Sequence, residues 1–117
     1  MAYDEDLATR IRELAIETAH VTETKMFGGL AFLVGGHMAV AASGQGGVLL
    51  RCDPARTDEL IADGTASIAM MQGRPMEGWL RITDEHVRTE RQLSRWVAIG
   101  MAYAGSLPPK RAATRKR

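Results

Sequence analysis

Leu7, Ile11, Leu14, Ala15 and Thr18 recur at the spacing of one helix face, with Arg10, Arg12, Glu13 and Glu17 off that face. Asp4, Glu5 and Asp6 precede them, where the helix dipole favours negative charge, so a first helix is predicted to run to about Ala19 or His20. Beyond it Val21, Thr22 and Thr24 are β-branched and favour extended backbone. The segment Lys25 to Val34 (KMFGGLAFLV), the pair Gly35-Gly36 and the segment His37 to Ala42 (HMAVAA) form a hairpin signal, since a glycine pair supplies the positive φ angles of a two-residue turn. Gly28-Gly29 lies between apolar residues and is assigned to a bulge, or to a bend where another backbone comes close.

Ser43 to Gly47 reads as a second turn and Val48 to Cys52 as a third strand. Asp53-Pro54 opens a second helix as N-cap and first helical residue, and Gly64 closes it. Two short extended pieces follow, around Ile68 to Met71 and Trp79 to Ile82, joined by Gln72-Gly73-Arg74-Pro75. Thr89 and Gln92 make a capping box for a last helix that turns Leu93, Trp96, Val97, Gly100, Met101 and Ala104 inward. The order α-β-β-β-α-β-β-α predicts an α+β fold: a single domain with a mainly antiparallel sheet of about five strands and helices packed against it.

Composition adds limits. Length 117 and 45% hydrophobic residues suit one domain with one core. A single cysteine, Cys52, rules out an internal disulfide and a multi-cysteine metal site. The acidic start lacks the apolar stretch of a secretory signal, and the longest apolar run, Leu30 to Val34, falls far short of the ~20 residues of a membrane helix, so a cytoplasmic location is expected. Charge is divided along the chain. Residues 1–105 carry ten basic and fourteen acidic side chains, net −4, whereas the last twelve carry Lys110, Arg111, Arg115, Lys116 and Arg117 without an acid, net +5. The expected organisation is therefore a folded domain over 1–105 and a basic, disordered tail over 106–117.

No catalytic, cofactor or metal constellation emerges from spacing. His20, His37 and His86 are far apart and read as a helix end, a hairpin turn and a loop, all facing solvent. Cys52 precedes a helix N-terminus, where a thiol pKa can be lowered, but alternation puts it with Val48 and Leu50 on a buried face, so a core thiol is the preferred assignment. The glycines match neither phosphate-binding pattern. Met70, Met71 and Met76 are assigned to a loop packing on Trp79, with soft-metal binding as the weaker alternative.

Two stretches in order carry a family signal: Lys25-Met26-Phe27-Gly28-Gly29 leading into Leu30-Ala31-Phe32, and Gly73-Arg74-Pro75-Met76-Glu77-Gly78-Trp79 after the strand-to-helix step at Cys52-Asp53. With a helix before and after, the chain resembles the N-terminal domain of the TfoX/Sxy family over residues 3 to about 105. Some members regulate bacterial competence, acting on transcription with a cyclic-AMP receptor protein, and carry a C-terminal helical domain. Here the sequence stops before one would begin, so the resemblance implies the fold more firmly than the competence role. It brings no catalytic residue. Lys25, Met26, Phe27, Gly28, Gly29, Gly73, Pro75, Met76, Gly78 and Trp79 are expected to build the fold.

Three functions follow as expectations. The first is a non-catalytic regulatory or protein-interaction module, binding a partner or itself as a homodimer through uncovered strand edges. The second is nucleic-acid association through Lys110, Arg111, Arg115, Lys116 and Arg117, with an affinity that falls steeply with salt. The third is a small-ligand site or enzyme assembled in space near residues 70–81, with Arg74 and Arg81 available for an anion.

Overall fold

Asp4 starts the first helix, its carboxylate accepting the backbone N–H of Asp6 at 3.0 Å and of Leu7 at 3.1 Å. The computed structural model describes residues 3–108 apart from 17, 19 and 27. Within them the elements are α1 Glu5–Leu14, β1 Val21–Met26, β2 Gly29–Val34, β3 His37–Ala42, β4 Val48–Arg51, α2 Thr57–Ile61, β5 Ser67–Met71, β6 Arg74–Ile82 and α3 Glu90–Ser106. The strands form one antiparallel sheet in the order β1-β2-β3-β4-β6-β5. The fold is α+β, as expected, with six strands where about five were predicted.

The additional strand comes from the segment expected to be continuous. Met26 and Gly29 are register partners, so Gly28 sits at a hairpin turn and not at a bulge. Gly28 has φ +76°, and Phe27 lies outside the described residues. Gly29 does meet a close backbone, since a Cβ there would collide with the carbonyl of Ala42. The first helix ends at Leu14, earlier than its apolar stripe suggests. The chain must reverse into β1, and it enters that strand through His20 in the left-handed region at φ +63°.

The remaining punctuation follows the residues. Gly35 and Gly36, at φ +58° and +87°, join β2 to β3. Asp53 caps a 3₁₀ turn at Pro54–Arg56 that leads into α2. The Thr89 hydroxyl accepts from Gln92 N–H while the Gln92 side chain accepts from Thr89 N–H, closing the capping box of α3. Only Gln72 and Gly73 form the β5–β6 turn, so Arg74 and Pro75 belong to β6, which is longer than predicted. Pro75 is tolerated there because β4 pairs only with Trp79–Ile82 and leaves the first half of β6 without that neighbour.

All three helices lie on one face of the sheet. Leu7 and Ile11 of α1, Leu60 of α2, and Leu93, Trp96, Val97, Met101 and Ala104 of α3 share one core with Leu30, Phe32, Val40, Val48, Leu50, Leu80 and Ile82. Gly100 seats α3 on β3: a methyl group added there would stand 2.5 Å from the Ala39 carbonyl oxygen and 2.7 Å from Leu50 Cδ1. At Gly105, in the same helix, an added methyl would stand 3.7 Å from Val34 Cγ1, an ordinary contact.

The two glycines make a matched prediction. Gly100→Ala overpacks the seat and should cost about 1–3 kcal/mol despite its gain in helix propensity. Gly105→Ala should be neutral or raise stability by up to about 1 kcal/mol. Urea unfolding of both variants gives the comparison, and equal midpoints would show that α3 does not rest on Gly100.

Candidate functional site

Along β2 the side chains of Leu30, Phe32 and Val34 enter the helix-covered core, which leaves Ala31 and Leu33 on the opposite face. Their register partners extend that face. Thr24 lies beside Ala31, Thr22 beside Leu33, Met38 beside Leu33, and Ala41 beside both Ala31 and Leu49. Leu49 pairs with Arg81, and Arg51 with Trp79. The result is a second apolar cluster: Ala31, Met38 and Ala41 at its floor, with Met26, Leu33, Leu49 and Trp79 half-buried around them. Among the described residues, no helix side chain belongs to it. Among the described residues, one face of the sheet is therefore bare of helices yet apolar.

Charge on this face is of one sign. Across β1 to β4 and the paired part of β6, the charged residues at its register positions are Arg51 and Arg81. The Arg51 guanidinium stands 5.2 Å from the Trp79 ring and 5.6 Å from the ring of Tyr103 in α3, a pair of cation–π contacts at the end of β4. Arg81 is half-buried and donates to Ser43 Oγ at 3.3 Å and to the Gly46 carbonyl at 3.4 Å, which ties the β3–β4 turn to β6.

The motif residues build the frame of this face. Lys25 is exposed on β1, Met26 lies within the apolar cluster, and Gly73 turns the β5–β6 hairpin at φ +79°. Pro75 is exposed and Met76 half-buried on β6. Gly78 sits at a bulge with φ +87°, donates its N–H to the Thr57 hydroxyl at 3.0 Å and accepts from Cys52 N–H at 2.8 Å. Thr57 is a buried polar side chain, and this bond locks the start of α2 to β6. Trp79 packs with Leu33 and Leu49, while Met70 is 59% exposed and the Met71 side chain lies outside what the structure describes. Register explains the difference: Trp79 faces inward over β4, whereas Met70 lies on the outermost strand.

Other candidates are dispersed. His37 is not solvent-facing, since its Nε2 lies 2.6 Å from the Pro108 carbonyl and its Nδ1 is buried, with no hydrogen-bond partner among the described residues. His86 is half-buried beside Glu85 at 3.1 Å, and only His20 is exposed as expected. Arg74 and Arg81 stand near opposite ends of β6, roughly 20 Å apart along extended backbone, too far to share one small anion. A shallow cleft of about 310 Å³ touches Arg81, Ser67 and His86 but not Arg74. Among the described residues no three His, Cys, Asp or Glu side chains are placed to share a metal ion. Lys110, Arg111, Arg115, Lys116 and Arg117 lie outside the described residues.

Spacing did not single out Leu33, Leu49 and Arg51. The available signal was the lack of alternation in GLAFLV and HMAVAA, which are apolar on both faces although antiparallel strands with one wet face alternate.

Cys52 is fully buried, and burial pushes its thiol pKa up while a hydrogen bond with Thr57 partly offsets the shift. Native protein should react with iodoacetamide at pH 8 roughly a hundredfold or more slowly than unfolded protein. Equal rates would remove Cys52 from the core.

Comparison with known proteins places this geometry in a family. The family model described as the TfoX N-terminal domain matches residues 13–104, which take in every strand, the bare face and nearly all of α3. No curated protein matches the chain. No solved structure matches it. The match spans most of the sequence and agrees with the fold, and the chain belongs to the TfoX N-terminal domain family.

Proposed function

We propose that this protein is a non-catalytic regulatory interaction module whose bare sheet face docks a partner protein carrying an acidic rim. The carrying observation is the cluster of Met26, Leu33, Leu49 and Trp79, half-buried on a face without helices and bordered by Arg51 and Arg81. Apolar surface of this kind gains free energy when covered, at about 25 cal/mol per Å² removed from water. A buried aromatic with a neighbouring arginine is also the pairing enriched at interface hot spots. The two arginines select against cationic partners and favour carboxylates around the apolar centre. Family membership supports a regulatory role linked to transcription without supplying the partner.

The face has one aromatic among its described residues, so it lacks the successive stacking rings of a single-strand nucleic-acid platform. Nucleic-acid association is supported by the tail instead, through the charges of Lys110, Arg111, Arg115, Lys116 and Arg117, and stands as the second reading.

A photo-crosslinking residue at position 49 should capture a specific protein in living cells, and one at the exposed helix position 98 should not. The captured protein, once purified, should bind the wild type and lose about tenfold or more in affinity to Leu49→Asp and to Arg51→Glu, with Ala98→Asp unchanged. Equal affinity for all four proteins would overturn the docking face.

A further inference from the structure

β1 is one outer edge of the sheet and β5 the other. The two edges differ. β5 loses register with β6 between Ile68 and Ala69, where Glu77–Trp79 of β6 bulge, and that irregularity interrupts the β5 edge as a template for further pairing. β1 pairs with β2 through six consecutive residues without a shift, and VTETKM contains neither proline nor glycine. Thr22, Glu23, Thr24 and Lys25 are exposed. A regular, uninterrupted edge of this length is a template for another strand.

The charges on β1 specify which strand. Glu23 and Lys25 are two apart, so they share one face of β1, with Thr22, Thr24 and Met26 on the other. Consider a second β1 running antiparallel, related by a two-fold axis normal to the sheet. With the axis on Thr24, Glu23 stands opposite Lys25 of the second copy, and Lys25 opposite its Glu23. Thr24 then meets its own counterpart, a favourable cross-strand pair. With the axis on Glu23 the two carboxylates oppose each other, and with the axis on Lys25 the two ammonium groups do, both unfavourable. One register is therefore selected by charge, and it is self-complementary.

The surroundings fit the same occupant. Ile16 is a large apolar residue left 81% exposed. It lines a cleft of about 450 Å³ beside β1, together with Arg12, Val21, Glu23 and Phe32. Arg12 Nη2 donates to Glu23 Oε1 at 2.9 Å, which holds the carboxylate at the edge and keeps its pKa below the usual carboxylate range. A second copy arriving at β1 brings its own cleft and its own Ile16 toward this one.

We infer that two copies of this chain pair through antiparallel β1 strands centred on Thr24, with reciprocal Glu23–Lys25 ion pairs, into one continuous twelve-stranded sheet. The two-fold axis places both bare faces on the same side. The two-fold pairing uses up both β1 edges and leaves the β5 strands, whose pairing is interrupted between Ile68 and Ala69, as the outer edges, so the assembly closes as a dimer and does not grow into a fibre. The inference stands on the β1 edge and does not depend on what the bare face docks. A monomer that still lost its partner on Leu49→Asp would overturn the pairing and leave the interaction function standing.

The test is sedimentation velocity on the full chain, where the wild type should run as a dimer at micromolar concentration. Lys25→Glu and Glu23→Lys should each dissociate about tenfold or more readily, since each sets like charges opposite one another. Mixed in equal amounts, the two variants should form a heterodimer, because positions 23 and 25 are then both acidic in one chain and both basic in the other. Mild oxidation should also link a Thr24→Cys variant into a covalent dimer, while Met70→Cys stays monomeric. A monomeric wild type, homodimers of Lys25→Glu as tight as the wild type, or cross-linking through position 70 would each overturn the inference.

Discussion

Three short helices cannot cover both faces of a six-stranded sheet, and the rest of this structure follows from how they are used. At about 4.8 Å between strands the sheet is roughly 24 Å wide, while a helix with its side chains is about 10 Å across. Covering one face takes two helices and part of a third. Here α1, α2 and α3 all contribute to a single core, and none of their described residues enters the cluster on the other face. An apolar sheet face without a helix layer is the consequence.

The covered face is fixed by a few close contacts. Gly100 lets α3 lie against the Ala39 backbone, which brings Trp96 and Met101 into the core. On the other side of the sheet's centre, the buried Thr57 hydroxyl satisfies Gly78 N–H, and Gly78 in turn accepts from Cys52. Removing a partner from a buried bond of this kind costs about 1–3 kcal/mol. These contacts give the family motif a physical meaning: Gly28, Gly29, Gly73 and Gly78 shape the strands that carry Met26 and Trp79, and the latter two belong to the half-buried apolar cluster.

Much of this was legible in the sequence where the signal is local. The capping box at Thr89 and Gln92, the N-cap Asp53, the Gly35-Gly36 turn and the inward face of α3 each depend on residues within a few positions of one another. The split of Lys25–Val34 into two strands was not legible, because a glycine pair within an apolar run suits a bulge or a turn equally, and only the pairing of Met26 with Gly29 decides. Nor was the place of Trp79. Its neighbours Leu33 and Leu49 come from strands far away in sequence, and their meeting depends on sheet order. The one early indication was that β2 and β3 are apolar on both sides while the helices suffice for one.

A bare face bordered by arginines and a regular strand edge with self-complementary charges are both surfaces open to other chains. The two tryptophans report on the two faces of the sheet separately. Trp96 projects from α3 into the core at 1% exposure, and Trp79 is half-buried on the other face. Acrylamide quenching of the Trp96→Phe and Trp79→Phe proteins, each with a single emitter, reads the two faces independently. Trp79 should emit at longer wavelength and be quenched several-fold more steeply than Trp96; equal, weak quenching of both would mean that the second face is covered after all.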